Sequence, residues 1–104
     1  MTWWLYVLEC RGGVLYTGIA RDVEARFEAH RRGAGARYTR LNRPARILAR
    51  ARVATQSEAL RAEFALKKLS RAGKLRWCAE GLDRFIETVS PAPALPRGSA
   101  ASPA

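Results

Sequence analysis

Short apolar runs and one alternating stretch predict three β-strands. Residues 3–9 and 14–18 are rich in aromatic and aliphatic side chains, and the Arg11-Gly12-Gly13 turn between them predicts a β-hairpin. Residues 46–54 alternate between apolar and mostly basic positions, which is typical of a third strand. We expect one face of this strand to carry Ile47, Ala49, Ala51 and Val53, and the other to carry Leu48, Arg50 and Arg52.

Candidate caps and stops frame two helices. Asp22 is a candidate N-cap, and Gly33 a candidate stop, for a helix over about residues 23–32. The run Thr55-Gln56-Ser57-Glu58 has the form of a capping box and predicts a second helix over about residues 56–69.

The last third of the chain predicts one more helix and then a tail. Ser70 is a candidate cap for a helix that ends near Gly81. From Ser90 onward the chain is Pro, Ala, Ser and Gly with little else, which cannot bury a core. We therefore expect a single folded domain over residues 1–89 and a disordered tail over residues 90–104. The order β-β-α-β-α-α predicts an α+β fold, with a small, mainly antiparallel three-stranded sheet flanked by helices.

The composition favours a small cytoplasmic protein. The chain has 104 residues, enough for one modest core, and no run approaches the ~20 apolar residues of a membrane span. The first residues lack the basic region and cleavage site of a signal peptide. Cys10 and Cys78 have no metal-ligand spacing, so we interpret both as reduced structural thiols.

The net charge of +10 makes a polyanion the natural partner. Between residues 31 and 52 there are eight arginines and no acid, and such a block repels itself unless an anion meets it. A merely solvated basic face is the alternative. We expect nucleic-acid phosphates to be contacted by a set of basic side chains that includes most of this block: Arg21, Arg31, Arg32, Arg37, Arg40, Arg43 and Lys67.

The first helix places two chemically active side chains beside apolar ones. Val23, Arg26, Phe27 and His30 follow the i, i+3, i+4, i+7 spacing and share one face. Because Val23 and Phe27 must meet the sheet, Arg26 and His30 are predicted to lie at the edge of the core. An outward-pointing Arg26 and a structural His30 are the alternatives.

The second helix places a carboxylate on its predicted apolar side. Glu63 falls near the middle of the arc made by Ala59, Leu60, Phe64 and Leu66. A buried carboxylate needs a cation, because its charge loses hydration. Either Lys67, one turn further along the helix, or a metal ion would supply that cation.

Two tyrosines lie on the paired strands, and a glycine follows the second. Aromatic residues are common in strands, so Tyr6 and Tyr16, each taken alone, are better explained by packing than by chemistry. Gly18 indicates a close approach or a sharp turn of the chain into the following helix.

Taken in order, these residues resemble the GIY-YIG nuclease superfamily, most closely its short stand-alone bacterial members. Trp4-Leu5-Tyr6 stands at the first motif and keeps only the tyrosine, whereas Tyr16-Thr17-Gly18 matches the second motif well. Arg26, His30 and Glu63 stand where the superfamily has its further site residues. The resemblance covers about residues 3–75. It departs from members that carry an asparagine beyond the glutamate or an attached DNA-recognition domain.

The resemblance implies an endonuclease that hydrolyses DNA with one Mg²⁺ or Mn²⁺ ion, held by Glu63. Tyr16 or Tyr6 would take a proton from water, which requires that cations depress the pKa of a phenol, ordinarily near 10. Arg26 would stabilise charge on the phosphate, and His30 would relay the proton of the tyrosine.

The expected substrate is branched, nicked or damaged DNA, in repair or recombination. Specificity would come from DNA shape, from the arginine block or from a partner protein. A nucleic-acid-binding module without catalysis, acting on DNA or RNA, is the main alternative. A basic subunit that docks an acidic protein is a third.

Overall fold

A β-hairpin opens the fold in the computed structural model of the chain, which describes residues 2–34 and 41–89. Strand β1 (Trp3–Cys10) runs into a single 3-10 turn (Arg11–Gly13) and then into strand β2 (Leu15–Ala20). Strand β3 (Pro44–Val53) pairs antiparallel with the other side of β1, so the strand order is β2-β1-β3. The antiparallel three-stranded sheet and the α+β fold predicted from the sequence are confirmed, and β2 is an edge strand.

The helices begin where their capping residues predict. Helix α1 (Val23–Arg31) follows Asp22, whose carboxylate accepts a hydrogen bond from the Ala25 amide. Helix α2 (Gln56–Lys67) is capped by the Thr55 hydroxyl and helix α3 (Arg71–Glu80) by the Ser70 hydroxyl. In each case a backbone N–H that has no partner within its helix is satisfied.

A further helix, α4 (Leu82–Val89), was missed by the sequence analysis. It buries Leu82 and Phe85 in the core, and the Phe85 ring meets Trp77 of α3 edge-on. The spacing of Leu82, Phe85, Ile86 and Val89 is i, i+3, i+4, i+7, so the signal for this helix was present in the sequence.

The sheet is covered on both faces. Leu5 and Val7 of β1 belong to one apolar cluster, which includes residues of α2 and α4. Tyr6 and Leu8 point to the opposite face and pack with Val23 of α1. This alternation follows from the two-residue period of a strand, and it separates α1 from α2 by the thickness of the sheet.

The predicted faces of β3 are wrong at two positions, Ile47 and Leu48, because Leu48 packs in the same cluster as Ala49 and Ile47 packs in the other. Val7 pairs with Ala49, but Leu8 pairs with Ile47, so the register shifts by one extra residue on β3. Such a β-bulge reverses the alternation of side chains beyond it. Ile47 therefore packs with Tyr6 and Leu8, while Ala49 packs on the other face of the sheet.

The predicted apolar arc of α2 is also partly wrong. Leu60 and Phe64 are exposed, and the buried positions are Ala59, Ala62 and Leu66. Two alanines form the centre of the packed face, and the larger side chains lie to one side of it.

Some predictions fall outside the described residues. Arg37, Arg40 and the tail over residues 90–104 are among them. Within the described part, no helix is long and apolar enough to cross a bilayer. Cys10 and Cys78 are both free thiols, and burial raises the pKa of each.

Candidate active site

The site is built around the side chain of Tyr6, which crosses the edge strand above Gly18. Tyr6 and Gly18 are opposite one another in the β1–β2 ladder. A Cβ atom at Gly18 would lie 2.6 Å from the Tyr6 hydroxyl oxygen and 2.8 Å from its ring. Because atoms cannot approach so closely, only glycine at this position lets the phenol reach the edge of the sheet. Of the two predicted roles of Gly18, the close approach is the one observed.

Three rings meet over this glycine. The Tyr6 hydroxyl lies 3.2 Å from Nε2 of His30, within hydrogen-bonding distance. The Tyr16 ring centroid is 5.0 Å from that of His30 and 6.4 Å from that of Tyr6. Tyr6 and His30 are fully buried, whereas Tyr16 is only partly buried. His30 therefore lies inside the core, deeper than its predicted place at the edge.

The buried pair is held in its neutral form. Burial raises the pKa of Tyr6 to about 12, and the neighbouring Tyr16 and Glu63 act in the same direction. The Arg26 guanidinium acts in the opposite direction, through its charge and by hydrogen bonding. Burial, with Arg26 as a second cause, lowers the pKa of His30. Arg26 thus acts on the pKa of Tyr6 in the predicted direction, but burial outweighs it.

Arg26 is exposed at the mouth of the site. It influences the ionisation of both Tyr6 and His30, which places its guanidinium beside the buried pair. It also lines a groove of about 430 Å³ between α1 and the end of β2, together with Arg21 and Ile19. An Arg in this position can hold a phosphate oxygen with one N–H while another faces the phenol.

Glu63 belongs to a helix on the opposite face of the sheet from α1. It lies on α2, which packs against β1 and β2, and its side chain is 19% exposed. Its carboxylate is 3.3 Å from the Lys67 ammonium, and its charge affects the pKa of Tyr6. The predicted placement of a carboxylate on the core side is confirmed, and Lys67 is the cation that meets it in this structure.

The chemistry of Glu63 suits one hard divalent cation. Among the described residues, no group of three His, Cys, Asp or Glu side chains is placed to hold a metal ion. Mg²⁺ does not require such a cage, because it retains most of its waters and takes one or two carboxylates plus substrate phosphate. A single, mostly buried carboxylate that already meets a cation therefore fits Mg²⁺ or Mn²⁺.

The predicted arginine face is partly neutralised by the chain itself. Arg31 pairs with Glu28 at 3.1 Å, Arg46 pairs with Glu9 at 2.7 Å, and Arg50 pairs with Glu24. The acids absent from the block are thus supplied by other segments, which the sequence analysis did not foresee.

The remaining predicted phosphate contacts are differently placed. Arg43 is exposed and donates a hydrogen bond to the Arg31 carbonyl at 2.6 Å. Arg32 is exposed at the end of α1. Arg21 is also exposed, and its guanidinium lies 5.2 Å from the centroid of the Trp3 ring.

Two side chains near the site were not predicted. Thr17 and Lys74 line a pocket beside Tyr16 and Lys67. Thr17 is the middle residue of the Tyr16-Thr17-Gly18 motif, so its proximity followed from its position. Lys74 gave no local signal, because its approach depends on how α3 packs.

Comparison with known proteins gives a consistent result. The GIY-YIG catalytic domain family matches residues 2–76 of this chain. A UPF0213 protein of Cupriavidus pinatubonensis is 50% identical over 78 residues, which cover 75% of this chain and 87% of the relative. A UPF0213 protein of Xanthomonas axonopodis pv. citri is 49% identical over 92 residues, which cover 88% and 89%.

A solved structure supports the same assignment. The solution NMR structure of a UPF0213 protein from Bacillus halodurans matches with a TM-score of 0.51 and 35% identity, covering 88% of this chain and 98% of that one. The matched region contains the three-ring cluster, Arg26 and Glu63. The chain belongs to the GIY-YIG nuclease family, among its UPF0213 proteins.

Proposed function

We propose that this protein is a metal-dependent endonuclease that hydrolyses phosphodiester bonds in DNA. The observation that supports this best is the set of groups around the Tyr6 phenol: Tyr16, His30 and Arg26 lie beside it, and the charge of Glu63 raises its pKa. They come from β2, from α1 and, across the sheet, from α2. Packing alone does not require a histidine, an arginine and a carboxylate around one buried hydroxyl.

Glu63 would hold one Mg²⁺ or Mn²⁺ ion, in place of its present contact with the Lys67 ammonium. When bound, the ion supplies Lewis-acid polarisation of the phosphate and stabilises the leaving oxygen. Arg26, at the mouth of the site, would bind a non-bridging phosphate oxygen. Its guanidinium stabilises the charge that develops there during attack.

The two tyrosines would have different tasks. Tyr16 is partly exposed, so it is placed to take a proton from an attacking water. Tyr6 is buried, its pKa is raised to about 12, and its hydroxyl meets His30. We therefore assign Tyr6 and His30 to positioning, as a neutral pair that fixes the ring of Tyr16.

We propose that the protein recognises its substrate by the shape of the DNA. Exposed arginines such as Arg21 and Arg32 suit phosphate contacts, and such contacts carry no base-sequence information directly. A branch, a nick or a damaged site would then direct cleavage, in repair or recombination, with or without a partner protein.

The test uses labelled linear, nicked, flapped and four-way-branched DNAs incubated with Mg²⁺ or Mn²⁺, and with EDTA as control. We expect cleavage that needs the metal and is strongest on one of the non-linear substrates. Equal cleavage of every DNA would overturn the shape preference. Salt-sensitive binding of all substrates without any cleavage would instead establish a non-catalytic binding module.

A further inference from the structure

A second pocket lies at the free edge of β2, beside the candidate active site. It has a volume of about 350 Å³ and is lined by Leu15, Tyr16, Thr17, Lys67 and Lys74. These residues come from β2, from α2 and from α3, so the pocket is formed only when both helices pack against the strand.

Two ammonium groups converge on this pocket without a carboxylate among the side chains that line it. Lys74 is half-buried and makes no ion pair with the described residues. The Lys67 ammonium forms an ion pair with the Glu63 carboxylate at 3.3 Å. A cation bound by Glu63 would release Lys67, and the pocket would then present two unneutralised positive charges.

Thr17, one of the residues that line the pocket, carries a buried hydroxyl without a partner among the residues that the structure describes. Thr17 is 3% exposed, and its Oγ1 has no hydrogen-bond partner within the described residues. Buried polar atoms are nearly always paired, so an unpaired one calls for a ligand or another cause. Because Thr17 also lines the pocket, a phosphate oxygen bound there is a candidate partner for this hydroxyl.

We propose that Lys67, Lys74 and Thr17 form a phosphate subsite, which binds a backbone phosphate of the DNA strand next to the scissile phosphate. The proposal rests on the proposed function for the identity of the ligand as DNA. It adds to that function a strand-positioning site on the α2–α3 side of β2. The Glu63–Lys67 contact couples the active site to the subsite, because a cation bound by Glu63 would also free Lys67 for the subsite.

The experiment measures DNA binding without cleavage. The dissociation constant of a labelled nicked duplex is determined by fluorescence anisotropy in EDTA, over roughly 50 to 200 mM salt. Under these conditions Lys67 keeps its contact with Glu63, so the measurement reports the contribution of Lys74. Lys74→Ala is compared with Lys68→Ala, a lysine outside the pocket that lies over the Phe64 ring. Each lost phosphate contact lowers the salt slope by about 0.9. The affinity of the wild type should therefore fall about 3.5-fold more than that of Lys74→Ala across this salt range.

A site-resolved measurement accompanies it. Backbone amide NMR shifts of Leu15 and Thr17 are followed during titration with the same DNA. We expect them to move in the wild type and in Lys68→Ala, and to stay fixed in Lys74→Ala. Equal salt slopes for the two lysine variants would overturn the proposed subsite. So would Leu15 and Thr17 amide shifts in Lys74→Ala that match those of the wild type. Neither readout needs cleavage, so failure of the nuclease proposal would be seen separately.

Discussion

Replacing Thr17 by valine is expected to make the protein more stable. The Thr17 hydroxyl is buried and has no partner in the described part of the chain. Valine has nearly the same shape, replaces the hydroxyl by a methyl group and suits a strand at least as well. Thr17→Val therefore removes an unsatisfied polar group while keeping the size and shape of the side chain.

The magnitude follows from the cost of burying such a group. A buried hydroxyl without a partner costs about 1–3 kcal/mol. For a domain of this size, a gain of 1 kcal/mol raises Tm by roughly 4–8 °C. We expect Thr17→Val to gain about 1 kcal/mol, the lower end of this range.

The assay is urea and thermal unfolding followed by circular dichroism, with an unchanged m-value as the sign that only stability has changed. The chain offers a matched control in Thr55. Its hydroxyl caps α2 by accepting a hydrogen bond from the Glu58 amide at 3.1 Å. Thr55→Val makes the same chemical change and should lose about 1 kcal/mol.

Opposite signs for the two variants support the reasoning. If Thr17→Val is destabilised to a similar extent as Thr55→Val, the Thr17 hydroxyl has a partner in the folded protein. The assignment of the Thr17 hydroxyl to the phosphate subsite would then be refuted.

Three further predictions concern the ring cluster. Gly18→Ala places a Cβ 2.6 Å from the Tyr6 hydroxyl, so it should lose about 1–3 kcal/mol in urea unfolding; an unchanged midpoint would show that the ring has room to move. The pKa of His30, the single histidine of the chain, is lowered by burial. As pH falls below about 6.5 the unfolded chain is protonated first, so the unfolding free energy should decrease between pH 7 and 5.5 in the wild type. In His30→Gln that decrease should be absent, and a slope that persists would place its origin elsewhere. Tyr16→Phe should lower kcat by at least about 100-fold, as for a lost general base, and more than Tyr6→Phe does; the reverse order in single-turnover cleavage would exchange their proposed roles.

Local chemistry made much of this fold predictable. Asp22, Thr55 and Ser70 are short polar side chains ahead of helical segments, and each caps the helix that follows it. The hairpin turn contains two glycines, and Gly12 has a positive φ of 80°. These features depend on neighbours in sequence, so they can be derived without the tertiary structure.

Features that depend on distant pairing could not be predicted in the same way. The bulge in β3 appears only when its register with Val7 and Leu8 is known. The rotation of α2, which exposes Phe64, depends on how closely its alanines approach the sheet. Likewise, the pairing of Arg46 with Glu9 joins residues far apart in the chain.

The candidate site likewise has some features that the sequence could predict and others that required the tertiary structure. The order of Tyr6, Tyr16, Arg26, His30 and Glu63 identified the family, but their distances required the structure. That the Tyr6 hydroxyl lies within hydrogen-bonding distance of His30, while the Tyr16 ring packs beside the same imidazole, depends on how β1 pairs with β2.

The central claim is that Glu63 serves cleavage and not only the stability of α2. Its most direct test compares metal-dependent DNA cleavage and DNA binding in the wild type and in Glu63→Gln. Glu80→Gln is the control, because Glu80 also pairs with a basic side chain on its own helix, Arg76 at 3.5 Å. We predict that Glu63→Gln binds DNA but does not cut it, while Glu80→Gln cuts like the wild type. Full cleavage by folded Glu63→Gln would contradict the account.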